Sequence, residues 1–141
     1  PNKLKLQLKK FKDKEVGLVY GKLIKFNKRS FFRKRQFITE KDLPEGYIIK
    51  ELLESYPVHL VTIMIRKEFI KNKKEIFKVK YNYLGDLDFV LRFSLKYKFA
   101  AVQECVAIYR QHDNQMQIKN FKTKSLQTSV KNFGWSNFRR L

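Results

Sequence analysis

The chain has 141 residues with 32 Lys+Arg against 13 Asp+Glu, a formal charge of +19, and 43% hydrophobic and 15% aromatic residues. Its length suits one compact domain or part of one, since domains run to roughly 100–200 residues, and its apolar content is too high for a disordered basic tail. The single thiol, Cys105, excludes an internal disulfide and is too little for a structural zinc site, and no run approaches the roughly 18–20 apolar residues of a membrane span.

The start, Pro1-Asn2-Lys3-Leu4, has neither an initiator methionine nor a signal-peptide pattern; it is compatible with processing and also suits a segment cut from a longer protein, while the lone cysteine permits a cytosolic environment. The charge points to polyanions, namely nucleic acid, anionic lipid headgroups or phosphorylated small molecules. Abundant Lys, Ile, Asn and Phe also fit AT-rich coding, which accounts for part of the charge without any partner.

In chain order, Leu4, Leu8 and Phe11 recur at helical spacing over residues 3–12, which favours a helix although Leu4, Leu6 and Leu8 also fit a strand's alternation, and 16–26 read as a largely buried strand. Residues 27–41 form a basic loop in which Phe31 and Phe32 interleave with Lys28, Arg29, Arg33, Lys34 and Arg35. Leu43-Pro44-Glu45-Gly46 signals a turn, and Ile48, Ile49, Leu52 and Leu53 mark one face of a short helix that Pro57 ends. Residues 58–65, rich in β-branched and apolar side chains, predict a second buried strand, followed by a helical turn over 66–70.

Leu87, Val90, Leu91 and Ser94 then describe a helix with Asp86 at its N-cap, and 99–109 predict a third strand holding Cys105 as a buried hydrophobe. A last helix is expected near 125–133. Strands alternating with helices give an α/β fold, a mixed sheet with flanking helices. Three strands are few for a sheet covered on both faces.

Three constellations could bear chemistry. In Gly85-Asp86-Leu87-Asp88, Asp88 can pair with Arg92 one turn on, while Asp86 stays at the helix start, where spacing alone favours a plain capping carboxylate over a general base. Two acids in one helical turn converge poorly on a metal. Arg110 and His112, just past the last strand, could grip a phosphate, and His112 could ligate a metal. The cation and aromatic mixture of 28–35, with Arg33, Lys34 and Arg35 at its end, suits either single-stranded nucleic acid or an anionic membrane. His59, within an apolar run, reads as a core histidine.

Four segments in order give these pieces a frame. Residues 1–8 with Val19-Tyr20-Gly21, Thr62-Ile63-Met64-Ile65-Arg66-Lys67, Gly85-Asp86-Leu87-Asp88-Phe89-Val90-Leu91-Arg92 and Tyr109-Arg110-Gln111-His112 together resemble the second half of a family 2 glycosyltransferase. The last three match that family's "T-x-M-x-R-[RK]", "[EG]-D-x-D-[LF]-x-L-R" and "Y-R-x-H" patterns. The resemblance covers 1–120, leaving 121–141 as a C-terminal extension, and implies part of a GT-A fold.

It also implies an inverting sugar transfer from a nucleotide-sugar donor to a hydroxyl of a glycan or lipid-linked acceptor, of the kind that builds bacterial surface polysaccharides. Asp86 would be the catalytic base. Thr62 would lie near the acceptor, Asp88 and Arg92 would orient the site, and Arg110 with His112 would assist at the diphosphate. Mg²⁺ or Mn²⁺ would be held mainly by an Asp-x-Asp in a nucleotide-binding half preceding Pro1, so that this portion is inert alone. The setting would be cytoplasmic, peripheral at the inner membrane face. The rival reading is a small basic domain that binds nucleic acid or docks on anionic lipid; no RNP-like strand, GXXG loop or zinc pattern supports the nucleic-acid version.

Overall fold

A computed structural model of the chain describes residues 2–27, 35–37, 41–71, 76–78 and 84–111. Its elements run α1 (Lys3–Lys10), β1 (Val16–Asn27), β2 (Arg35–Phe37), α2 (Ile49–Ser55), β3 (Met64–Ile65), α3 (Gly85–Ser94) and β4 (Lys98–Gln111). The fold is mixed α/β, as the alternation of elements predicts. The sheet has four strands.

β1 is the centre of that sheet because its apolar, β-branched run can be buried on both faces. Along one edge it pairs in parallel with β4, from Val16↔Lys98 to Asn27↔Gln111. Along the other it pairs antiparallel with β3 near its start, Leu18↔Ile65, and with β2 near its end, Phe26↔Arg35. One face carries Leu18, Tyr20, Phe99 and Ala101 against Leu52 of α2 and Phe89, Val90 and Phe93 of α3. The other carries Val16, Val19, Ala100 and Val102 against Leu6 and Phe11 at α1. Four strands thus gain cover on both sides from only three helices.

The outer edge of β4 is sealed by the turn before α2. Gly46 and Phe99 exchange two backbone hydrogen bonds of 2.8 Å, and the Gln103 amide bonds both the N–H and the carbonyl of Leu43 at 3.0 Å. Glu45 completes the seal, accepting from Ala101 N at 3.1 Å and from Lys10 Nζ at 2.7 Å. Gly46 has φ +96°, a left-handed conformation that costs glycine little.

Four local expectations are corrected. Residues 58–65 are not one strand: 60–62 form a 3₁₀ turn and only Met64–Ile65 pair with β1. Thr62 makes the turn by donating both its N–H (2.8 Å) and its hydroxyl (2.7 Å) to His59 O, which consumes the acceptor a strand would have offered a neighbour. The buried face of α1 holds Leu6 and Gln7, while Leu4 and Leu8 are exposed, because Gln7 Nε2 bridges Val19 O (3.2 Å) and Thr62 O (2.6 Å) and fixes the helix's rotation.

Asp86 is not the N-cap of α3; Leu84 holds that place, and Asp86 Oδ1 instead accepts the Leu87 N–H at 2.9 Å from within the first turn. Cys105 is exposed rather than buried. The register slips from Gly21↔Val102 to Lys22↔Cys105 and then Leu23↔Ala107, so extra residues in β4 break its alternation around the cysteine. Among the described residues no helix is long and apolar enough to cross a membrane. The helix expected near 125–133 lies outside the described residues.

Candidate functional site

The chain from Tyr56 to Val61, leaving α2, crosses toward the first turn of α3 and leaves a cleft of about 630 Å³ above the far halves of β1 and β4. Its floor holds Leu23, Lys25 and Tyr109, and its walls hold Tyr56, Val58, His59, Leu60, Val61 and Asp86. The volume lies in the range of small-molecule sites, roughly 300–1,000 Å³, and the lining follows their usual pattern of apolar surface with a few polar groups.

The floor follows from strand geometry. Lys25 and Tyr109 are register partners, so they stand side by side, and Leu23 shares their face two residues back. Lys25 is half-buried, and among the described residues its ammonium makes no ion pair. Arg110 pairs with Phe26 and by the same alternation faces away from Tyr109, on the opposite side of the sheet.

The wall begins with a strained residue. Tyr56 has φ +39° and ψ +72°, and its N–H closes α2 on Leu52 O at 3.2 Å. Pro57 disfavours the α conformation for the residue before it, and a left-handed turn follows at a place where glycine is the usual choice. The ring that this turn presents is mostly buried. Burial, with a smaller contribution from the Asp86 carboxylate, pushes the Tyr56 phenol far above the ordinary tyrosine range, so it stays protonated.

His59 follows in extended backbone, half-buried, with no side-chain hydrogen bond among the described residues. Burial lowers its pKa below the ordinary histidine value, which favours a neutral ring able both to donate and to accept. Asp86 closes the wall opposite. One of its oxygens is held by the Leu87 N–H, and the other, Oδ2, makes no hydrogen bond among the described residues.

Of the site residues expected from sequence, Asp86 alone lines this cleft; His59, expected to be a core histidine, is instead half-buried in the cleft wall. Thr62 is fully buried behind the wall, its hydroxyl committed to His59 O. Asp88 is 5% exposed and is gripped by Arg92 through Nε (2.8 Å) and Nη2 (2.7 Å), while Arg92 Nη2 also holds Ile76 O at 2.9 Å. The pair fastens α3 to the segment before it. Arg110 is exposed on the other sheet face; His112, Arg33 and Lys34 lie outside the described residues, and of Arg35 only the strand backbone is described.

Lys25, Tyr56 and Tyr109 carry no site role in the sequence pattern, and His59 reads there as a core residue. Their signals are faint: a tyrosine before proline, a histidine within an apolar run, and a tyrosine beside the arginine of its motif. Among the described residues no three His, Cys, Asp or Glu side chains converge to hold a metal ion. Asp88 is spent on Arg92, so the residues present do not make a divalent-cation site with Asp86.

No protein-family model matches the chain, and no curated protein matches it significantly.

Proposed function

We propose that the chain is the acceptor-side portion of an inverting glycosyltransferase of the family 2 kind, its mixed sheet being part of a GT-A domain. The observation that supports this most is convergence: two separate sequence motifs, at the first turn of α3 through Asp86 and at the end of β4 through Tyr109, border one cleft, and the wall segment 58–61 runs directly into a third motif at Thr62.

In this reading an acceptor hydroxyl lies against Asp86 Oδ2. The carboxylate takes the hydroxyl proton as the acceptor oxygen bonds to the anomeric carbon, and the bond from that carbon to the donor diphosphate breaks with its electron pair leaving on the diphosphate. The Leu87 N–H holds the other oxygen and keeps the carboxylate aimed. His59 and Tyr56 orient the acceptor. The donor's nucleotide, and the Mg²⁺ or Mn²⁺ that would accompany its diphosphate, belong to a nucleotide-binding half ahead of Pro1, and no step assigned to these residues runs through the metal.

The acceptor is a glycan or a lipid-linked saccharide met at the cytoplasmic membrane face. The basic run 28–35 suits that setting, since the pairing of Phe26 with Arg35 sets the strands on either side of 28–34 at the same end of the sheet as Lys25 and Tyr109.

The test is sugar transfer by the polypeptide that joins this chain to its donor-binding half. Asp86→Asn is expected to lower the rate roughly 10²- to 10⁴-fold with the fold intact, the usual contribution of a general base. Undiminished transfer would remove Asp86 from the chemistry. Robust turnover of nucleotide-sugars by residues 1–141 alone would refute the need for a separate donor half.

A further inference from the structure

We infer that the cleft is selective for an anionic sugar, one carrying a carboxylate or phosphate, with Lys25 as its counter-charge. The inference rests on the acceptor reading above and names the class of acceptor. Lys25 stands on the cleft floor beside Tyr109, half-buried, and no carboxylate among the described residues lies within ion-pairing distance of it.

Lys5, Lys9 and Lys14, which carry no side-chain partner among the described residues, are exposed on the surface segment 3–14, whereas Lys25 lies inside a cavity; four others are engaged. Lys3 donates to Val61 O, Lys10 to Glu45, Lys22 to Asp42 and Lys98 to Glu15. A cation without an ion pair among the described residues, in a mostly apolar cleft, attracts an incoming anion more strongly than a surface lysine does, because low-dielectric walls screen it less than open solvent.

The rest of the lining fits a pyranose. Tyr56 and Tyr109 offer aromatic surface for the ring's C–H face, and His59 offers a hydrogen-bonding ring without a second fixed charge. The strained backbone at Tyr56 supports a built wall, since a left-handed tyrosine is kept only where the surroundings fix its side chain. An anionic substituent at Lys25 would also turn the acceptor, setting the end away from that charge toward Asp86.

The test is binding by residues 1–141 at about 0.15 M salt, where long-range attraction to the +19 chain is largely screened. The probes are methyl β-glucuronide, glucose 6-phosphate, methyl β-glucoside and inorganic phosphate, followed through the backbone amide resonances of Lys25, His59 and Asp86. The two acidic sugars are expected to bind about tenfold more tightly than the glucoside. Lys25→Gln should abolish the difference, Lys25→Arg should keep it, and Lys5→Gln, an exposed α1 lysine outside the cleft, should leave it unchanged.

Preference for only one acidic sugar would name the anion as carboxylate or phosphate. Equal binding of neutral and acidic sugars would overturn the anionic selectivity and leave the acceptor cleft standing. Inorganic phosphate matching glucose 6-phosphate would overturn the sugar as ligand. If no sugar perturbs the cleft resonances, the acceptor reading itself fails.

Discussion

Arg66 offers a sharp test because its motif invites a substrate role and its contacts give it another. Its backbone N–H donates to Gly17 O at 2.9 Å, and its side chain reaches the carbonyls of Val16 (3.0 Å), Phe11 (2.8 Å) and Asp13 (2.9 Å) while lying 5.0 Å over the Phe11 ring. Phe11 is the C-cap of α1, so the guanidinium both satisfies an orphan carbonyl and meets the negative end of the helix. A hydrogen bond involving a charged group contributes roughly 1.5–3 kcal/mol, but the Asp13 carbonyl is open to water and the Arg66 side chain is 21% exposed. Discounting for both, Arg66→Ala should cost about 3 kcal/mol. With a urea m-value near 2 kcal/mol/M, the midpoint should fall by about 1.5 M. Arg66→Lys keeps the charge but lacks the fork, and should lose about half as much. A loss below about 0.5 kcal/mol for alanine, or a lysine variant equal to wild type, would refute the clamp.

Gly17→Ala should destabilise by about 1–3 kcal/mol in the same unfolding assay, because an added Cβ would sit 2.7 Å from Tyr97 Cβ and 2.8 Å from Phe93 Cε1 under a closed aromatic stack. The Asp88–Arg92 pair should be asymmetric: Arg92→Ala strands a carboxylate that is 5% exposed and costs roughly 2–3 kcal/mol, whereas Asp88→Ala leaves an arginine with access to water and costs about 1 kcal/mol. A double-mutant cycle with no coupling would deny the pair. His59 has its pKa lowered on folding, so below the ordinary value near 6.5 the unfolded chain binds the proton first and stability drops as pH falls toward the folded value. Melting curves of His59→Gln and wild type should therefore separate as pH falls below 6.5, the variant losing less; parallel curves would place His59 in solvent.

The sequence carried the central strand and the order of the helices because those depend on local pattern. The run from Val16 is apolar enough to demand burial on both faces, and Leu87, Val90 and Ser94 could only pack as a helix. What failed depended on distant partners. Leu4 and Leu8 looked like the buried stripe of α1, yet Gln7 was drawn inward by carbonyls 12 and 55 residues away. Residues 58–65 have strand composition, and a single threonine hydroxyl turning back on His59 O makes a turn of them. Cys105 reads as interior by neighbourhood, and slips in strand register, which no periodicity announces, leave it exposed. The cleft was legible only at Asp86. Its other polar groups sit on β1, on the exit of α2 and on β4, and only the tertiary fold brings them within one cavity.

The two acids of α3 show how that fold separates chemically similar residues. Asp86 and Asp88 share a helical turn and both favour its positive end. Their two-residue spacing turns their side chains roughly 200° apart around the axis, so one faces the cleft while the other faces Arg92. Asp88, nearly buried and bonded twice to one guanidinium, could accept a proton only by giving up that pairing. Asp86 has one oxygen steadied by a backbone N–H and its other without a hydrogen-bond partner among the described residues, in a cavity with room for a sugar. A base needs orientation without prior commitment, and of these two carboxylates only Asp86 combines them.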